Sequence, residues 1–243
     1  MSSIVSVYPD IDTMSREAAE YVVQVAREAI AERGLFSFAL SGGTTPGKLY
    51  DLLTSEPYRS QIDWSAVHLF WSDERCVAPE DPQSNYHLAQ EVLLSKLDLS
   101  PVQIHRVPAE RPDREQASAD YEAEIRQVLG GKFPRFDLIQ LGMGPEAHTA
   151  SLFPHQPSLH EQERLIIPVS VPKPPPDRLT FTPPLLIAAR HLLFLATGAD
   201  KAEALHAVLE GPDDPEEYPS QLIVRQTKGE VRWILDGKIS QNL

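Results

Sequence analysis

Short apolar runs alternate with longer amphipathic ones along most of this chain. Ile4 to Tyr8 reads as a strand. A helix is predicted to follow, capped by Asp12 or Thr13 and running to Arg33. Ala18, Val22, Ala26 and the pair Ala29/Ile30 fall on one stripe of it, and Gly34 is its stop. Phe36 to Leu40 is a second apolar run of strand length. The helix after it places Leu49, Leu52 and Leu53 at helical spacing. Val67 to Trp71 reads as a strand, Asn85 to Leu94 as a helix capped by Ser84, and Ala117 to Leu129 as a helix ended by Gly130-Gly131. Phe136 to Leu141 and His191 to Ala196 are further strands, the second followed by a helix from Asp200 to Leu209. Val231 to Leu235 is expected as a last, edge strand. Strands alternating with helices predict an α/β fold: a doubly wound, mostly parallel sheet with helices on both faces, Rossmann-like. With no repeat and no convincing boundary, one domain over residues 1–243 is expected.

In such sheets ligands bind beyond the carboxyl ends of the strands. Four segments fall there: Ser41 to Thr45, Ser72 to Arg75, Gly142 to His148, and Thr197 to Lys201. The first is the most informative. A strand passing through Gly42 and Gly43 into a helix presents free N–H groups at the positive end of the helix dipole, a seat for a phosphate. Thr44 and Thr45 add hydroxyls, and Pro46 suits the first turn, where a missing N–H costs nothing. Gly42 to Lys48 also satisfies G-x-x-x-x-G-K, the front of a P-loop. Leu49 stands where that motif needs a Mg²⁺-binding Ser or Thr, and Pro46 removes a cradle N–H. A plain glycine-rich turn without a ligand is the remaining alternative.

Charge changes the picture next. With 22 Lys plus Arg against 35 Asp plus Glu, the formal net charge is −13. Such a chain is a poor nucleic-acid binder, and any phosphate site must be a local positive patch. Cys76 is the only cysteine, which excludes an intrachain disulfide and a Cys-based zinc cluster. The first ten residues lack the basic and long apolar regions of a signal peptide. No apolar run approaches the ~20 residues of a transmembrane helix. A soluble, cytoplasmic protein without membrane contact is expected. The 22 prolines, densest at Pro172 to Pro176, read as stiffened loops.

The other strand-end segments carry candidate chemistry. Asp73, Glu74 and Arg75 form either a structural ion-pair network or part of a site. Gly142 and Gly144 make room for a ligand just before His148, with Glu146 two residues ahead of it. That histidine is either an ordinary surface or core residue or an acid/base at the catalytic edge of the sheet. Lys201 sits in a first helical turn, where a cation opposes the dipole and a bound phosphate would explain it. There is no G-x-S-x-G elbow and no H-E-x-x-H, and His155, His160, Asp63 and Asp98 fit no ligand pattern. No metal or cofactor is expected.

Taken in order, five stretches resemble the 6-phosphogluconolactonase family, within the glucosamine/galactosamine-6-phosphate isomerase superfamily. They are Ser41-Gly-Gly-Thr-Thr-Pro46, Asp73-Glu-Arg75 with Ser84-Asn-Tyr86, His148-Thr-Ala-Ser-Leu-Phe-Pro154, Lys173-Pro-Pro-Pro-Asp-Arg-Leu-Thr180, and Thr197-Gly-Ala-Asp-Lys201-Ala202. The resemblance covers nearly the whole chain. It implies hydrolysis of 6-phospho-D-glucono-1,5-lactone to 6-phospho-D-gluconate, the second step of the oxidative pentose phosphate pathway. The alternatives are a non-catalytic sugar-phosphate-binding protein and a deaminase/isomerase-like enzyme. The run Thr149 to Pro154 argues against the latter.

The same resemblance makes His148 the acid/base, assisted by Glu146. Ser41, Gly42, Gly43, Thr44, Arg75 and Lys201 would hold the 6-phosphate, with Asp73, Gly142, Gly144 and Arg178 in support. The lactone is an activated ester, so a base and orientation suffice without a covalent nucleophile or a metal. Two departures stand out. The family's Asp-Gly before the histidine is Glu146-Ala147, and alanine is expected to be barred from the φ > 0 values open to glycine. Ile187 stands where an Asn is expected. Monomer and homodimer both remain open.

Overall fold

The computed structural model describes residues 3–242. The predicted framework forms in the predicted order. β1 (Ile4–Tyr8), α1 (Ile11–Arg33), β2 (Phe36–Leu40), α2 (Thr44–Leu53) and β3 (Val67–Trp71) open the chain. A three-residue β4 (Asp73–Arg75) follows, then α3 (Asn85–Val92), α4 (Arg114–Leu129) and β5 (Leu138–Leu141). β6 (Ile166–Ser170), β7 (Asp177–Phe181), α5 (Pro183–Ala188), β8 (His191–Ala196), α6 (Ala202–Glu210), α7 (Pro219–Gln226) and β9 (Glu230–Asp236) complete it.

Six strands form one parallel sheet in the order β1-β9-β8-β5-β2-β3. Its central strands are apolar on both faces, as burial between helix layers demands: every residue of β2 and β5 is buried. From β2 the chain steps outward to β3, whereas from β5 it steps the other way to β8 and β9. The carboxyl ends of β2 and β5 therefore flank the point where the winding reverses, the place a crevice opens in such sheets. β4, β7 and β6 form a second, antiparallel sheet that the sequence pattern did not predict. It is tied to the first at Ser72, which donates its N–H to Leu40 O at 2.8 Å and accepts from Phe181 N at 2.8 Å.

Several expectations need correcting. The cap of α1 is Asp10, whose side chain accepts from Thr13 N at 2.7 Å; Asp12 lies in the first turn. α4 starts three residues early because Asp113 caps it. α3 ends at Val92, and the ladder of β5 begins at Leu138. β9 is no edge: β1 pairs outside it and is the edge strand, with Ile4, Val5 and Val7 exposed. The segment before α6 is a single 3-10 turn, Ala199–Lys201, so Lys201 caps the helix instead of sitting inside it. No helix among the described residues is long and apolar enough to cross a membrane.

Candidate active site

The four strand-end segments meet. Together they line a cleft of about 290 Å³ at the reversal between β2 and β5. The glycine loop forms one wall. Gly43 caps α2 at φ 112, a conformation that only glycine adopts without strain, and the first turn of the helix, Thr44 to Pro46, lines the cleft. The start of the loop is rigid. Buried Tyr50 accepts from Ser41 N at 2.8 Å, and its own hydroxyl lies 3.0 Å from Ser41 O and 2.7 Å from Gln140 Oε1. Ser41 Oγ donates to Gln140 Oε1, so its hydroxyl is spent on the scaffold and its main chain alone is left to shape the seat. Burial pushes the Tyr50 phenol above its ordinary range, which keeps it a neutral donor.

Cations line the cleft against the −13 charge of the whole chain: Arg75, Lys173, Arg178 and Lys201, with Asp73 the only carboxylate among the lining residues. They divide by how they are held. Arg178 is buried and committed. Its guanidinium donates to Pro175 O, Ser151 Oγ and Lys173 O, and it lies 5.8 Å from the Phe153 ring centroid. Burial lowers its pKa, with Asp73 opposing. Asp73 is a junction: it accepts from Ser151 Oγ at 2.6 Å and Asn85 Nδ2 at 3.2 Å and faces Arg178 at 3.9 Å. Arg75 and Lys201 are looser. Each makes a main-chain contact, to Gln83 O at 2.5 Å and Thr197 O at 3.0 Å respectively. Arg75 Nε is buried without a partner. Those two retain donors for a ligand.

The histidine loop forms the other wall. Thr149 Oγ1 donates to Gly142 O, Gly144 N to His148 O and Ala147 N to Gly144 O, closing a tight turn after β5. Phe153 stacks on the His148 ring at 4.1 Å and 10°. Gly144 passes beneath it: a Cβ there would fall 2.1 Å from His148 Nδ1 and Cε1. His148 Nδ1 is buried and lies 3.2 Å from Glu146 Oε1, without a well-directed hydrogen bond. The imidazole beside it keeps the Glu146 carboxyl below its ordinary range. An ionised carboxylate beside Nδ1 favours the tautomer protonated there, leaving Nε2 to act as a base.

Ala147 overturns one expectation. It does adopt φ 56. The left-handed region is costly for alanine, at roughly 1–2 kcal/mol, but open to it. Ile187 lies in α5, outside the cleft lining.

The sequence matches the family described as glucosamine-6-phosphate isomerases/6-phosphogluconolactonase over residues 9–233, a span that includes all four loops. A 6-phosphogluconolactonase of Synechocystis sp. is 43% identical over 219 residues, covering 89% of this chain and 88% of that protein. The chain belongs to this family. A 6-phosphogluconolactonase of Nostoc sp. is 36% identical over 246 residues, covering 100% of this chain and 99% of that protein. Among solved structures, the 6-phosphogluconolactonase from Trypanosoma cruzi superposes with a TM-score of 0.87 at 30% identity, covering 100% of this chain and 98% of that one. A monomeric glucosamine-6-phosphate deaminase shares the fold, with a TM-score of 0.82 at 19% identity, covering 99% of this chain and 100% of that one.

Against the 6-phosphogluconolactonase pattern, the cleft brings together every residue expected of it except Glu146, which backs His148 from behind. Asn85, Thr197 and Lys173 line it as well and were not singled out. Asn85 follows the predicted cap Ser84, and its Oδ1 presses on Gly42, where a Cβ would fall 1.8 Å away. Glu74 turns away from the ligand space. It accepts from Asn85 N, Tyr86 N and Ser84 Oγ, securing the start of α3. Lys48, the P-loop lysine of the rejected motif, pairs with Asp12 on the surface. His155 and His160 pair with Glu217 and Glu216, both exposed. Among the described residues, no group of three or more His, Cys, Asp or Glu could hold a metal ion.

Glu146→Gln tests the carboxylate. Its side chain is 36% exposed, and screening keeps its contact at the low end of a charged interaction. We expect kcat to fall about tenfold, equivalent to ~1.5 kcal/mol. KM should change little, because the carboxylate lies outside the cleft lining. Unchanged kcat would remove Glu146 from the assignment.

Proposed function

We propose that this chain hydrolyses 6-phospho-D-glucono-1,5-lactone to 6-phospho-D-gluconate with His148 as general base. One observation carries the reading: a single cleft joins a helix-start phosphate seat and four cations to a buttressed imidazole, in an otherwise strongly acidic chain. The N–H groups at Gly42 to Thr44, with Arg75 and Lys201, hold the 6-phosphate. This spends remote binding energy on placing the lactone carbonyl. Nε2 of His148 takes a proton from water as the water oxygen attacks that carbonyl carbon. The tetrahedral intermediate collapses by breaking the bond to the ring oxygen, which leaves as the C5 hydroxyl with the proton from the imidazolium. Asp73 and Arg178 keep the antiparallel sheet and the histidine loop in register.

The test is hydrolysis of freshly generated lactone, followed by coupled detection of 6-phosphogluconate with the spontaneous rate subtracted. Added rate above background is expected. Binding of 6-phosphogluconate without added rate would instead leave a sugar-phosphate-binding protein. Arg75→Ala and Lys201→Ala should each raise KM by about 10–100-fold, the value of a hydrogen bond to a charged group (~1.5–3 kcal/mol), with kcat little changed. A fall in kcat at constant KM would place these cations on the transition state.

A further inference from the structure

The peptide that leads into His148 is held from an unexpected direction. Ala147 is fully buried at φ 56, a conformation in which alanine is strained and glycine is not. Such strain persists only where the surroundings over-determine it. Here the surroundings are the first turn of α7. Ser220, itself fully buried, donates twice to Ala147 O: its N–H at 3.0 Å and its Oγ–H at 2.7 Å. The amide is one of those a helix start leaves without an internal partner. α7 is in turn anchored by Gln221, whose Nε2 donates to Ala207 O and Pro212 O and whose Oε1 accepts from Asp214 N. The carbonyl of Ala147 and the N–H of His148 share one planar peptide. Clamping that carbonyl sets the plane from which the imidazole departs.

We propose that Ser220 is a positioning residue for the hydrolysis: it holds Ala147 in the left-handed conformation and so aims His148 at the cleft. Ser220 lies outside the residues that line the cleft. It supplies what a glycine at 147 would not need. The inference rests on His148 being the base.

The experiment is a double-substitution cycle in the full chain: wild type, Ser220→Ala, Ala147→Gly and both together, with His148→Ala in parallel. Lactone hydrolysis and thermal unfolding are measured for each. Ser220→Ala should lower kcat about tenfold, the effect of losing one buried hydrogen bond, with KM within about twofold. On the Ala147→Gly background the same substitution should cost about twofold or less, because the strained peptide no longer needs the hydroxyl. A purely structural serine would lower the unfolding temperature equally on both backgrounds and leave kcat per folded molecule unmoved. That outcome, or an equal kcat loss on both backgrounds, overturns the proposal. If Ser220→Ala alone does not fold, the double variant should fold and turn over, and its failure to fold overturns the proposal too. Normal turnover by His148→Ala would overturn the base assignment whatever Ser220 does. Lost turnover there, with no Ser220–Ala147 coupling, would overturn the positioning role alone.

Discussion

His148→Ala is expected to lower kcat by about 10²–10⁴-fold, the usual worth of a positioned general base. Binding of 6-phosphogluconate should be kept. The proposed phosphate seat comprises the start of α2, Arg75 and Lys201, none of which uses the imidazole as a partner. Residual rate above the spontaneous reaction would come from orientation in the cleft. The decisive comparison is kcat against product affinity measured by calorimetry. Turnover within a few-fold of wild type would show that another group takes the proton. Loss of product binding would show that the ring shapes the sugar site instead.

Gly144→Ala should come second, at about 10²-fold in kcat, the cost of moving a catalytic group by about an ångström. The new Cβ would lie 2.1 Å from two atoms of the His148 ring and 2.8 Å from Glu146 Oε2, so something must shift. Phe153, stacked at 4.1 Å, limits how the ring can yield. The main chain of Gly144 is no obstacle, since its φ is not in the left-handed region. The effect is therefore steric and local. KM should change less than kcat, and overpacking should lower stability by ~1–3 kcal/mol. The same kcat as wild type would mean that the loop rearranges freely, and the buttressed geometry described above would not matter to turnover.

The glycine loop was readable because its geometry is local: a strand, two glycines and a helix start leave free N–H groups at the positive end of the helix dipole. The parallel framework was readable for the same reason, since apolar runs like Phe36 to Leu40 and the stripe on α1 report their own burial. The second sheet was not. β4 is three charged residues with no apolar signal, while the short apolar stretches of β6 and β7, Ile166-Ile167 and Leu179-Thr-Phe181, are interrupted by Pro168 and headed by Asp177-Arg178. Their pairing with one another makes them strands. β9 was misplaced at an edge because a strand's neighbours are set by how the chain winds, which no window of sequence contains.

The sequence by itself determined the fold class, the four loops beyond the strand ends and the family, because each depends on residue order and short-range periodicity. Tertiary structure alone decided which side chains in those loops remain free. It spent Ser41 on Gln140, Glu74 on α3 and Arg178 on main-chain carbonyls, and it left Arg75, Lys201 and one imidazole nitrogen available. It also let Ala147 occupy a glycine's conformation, by bringing Ser220 from 73 residues away onto its carbonyl. Hydrogen bonds between distant segments are satisfied only once the chain has closed on itself, and those bonds separate scaffold from site.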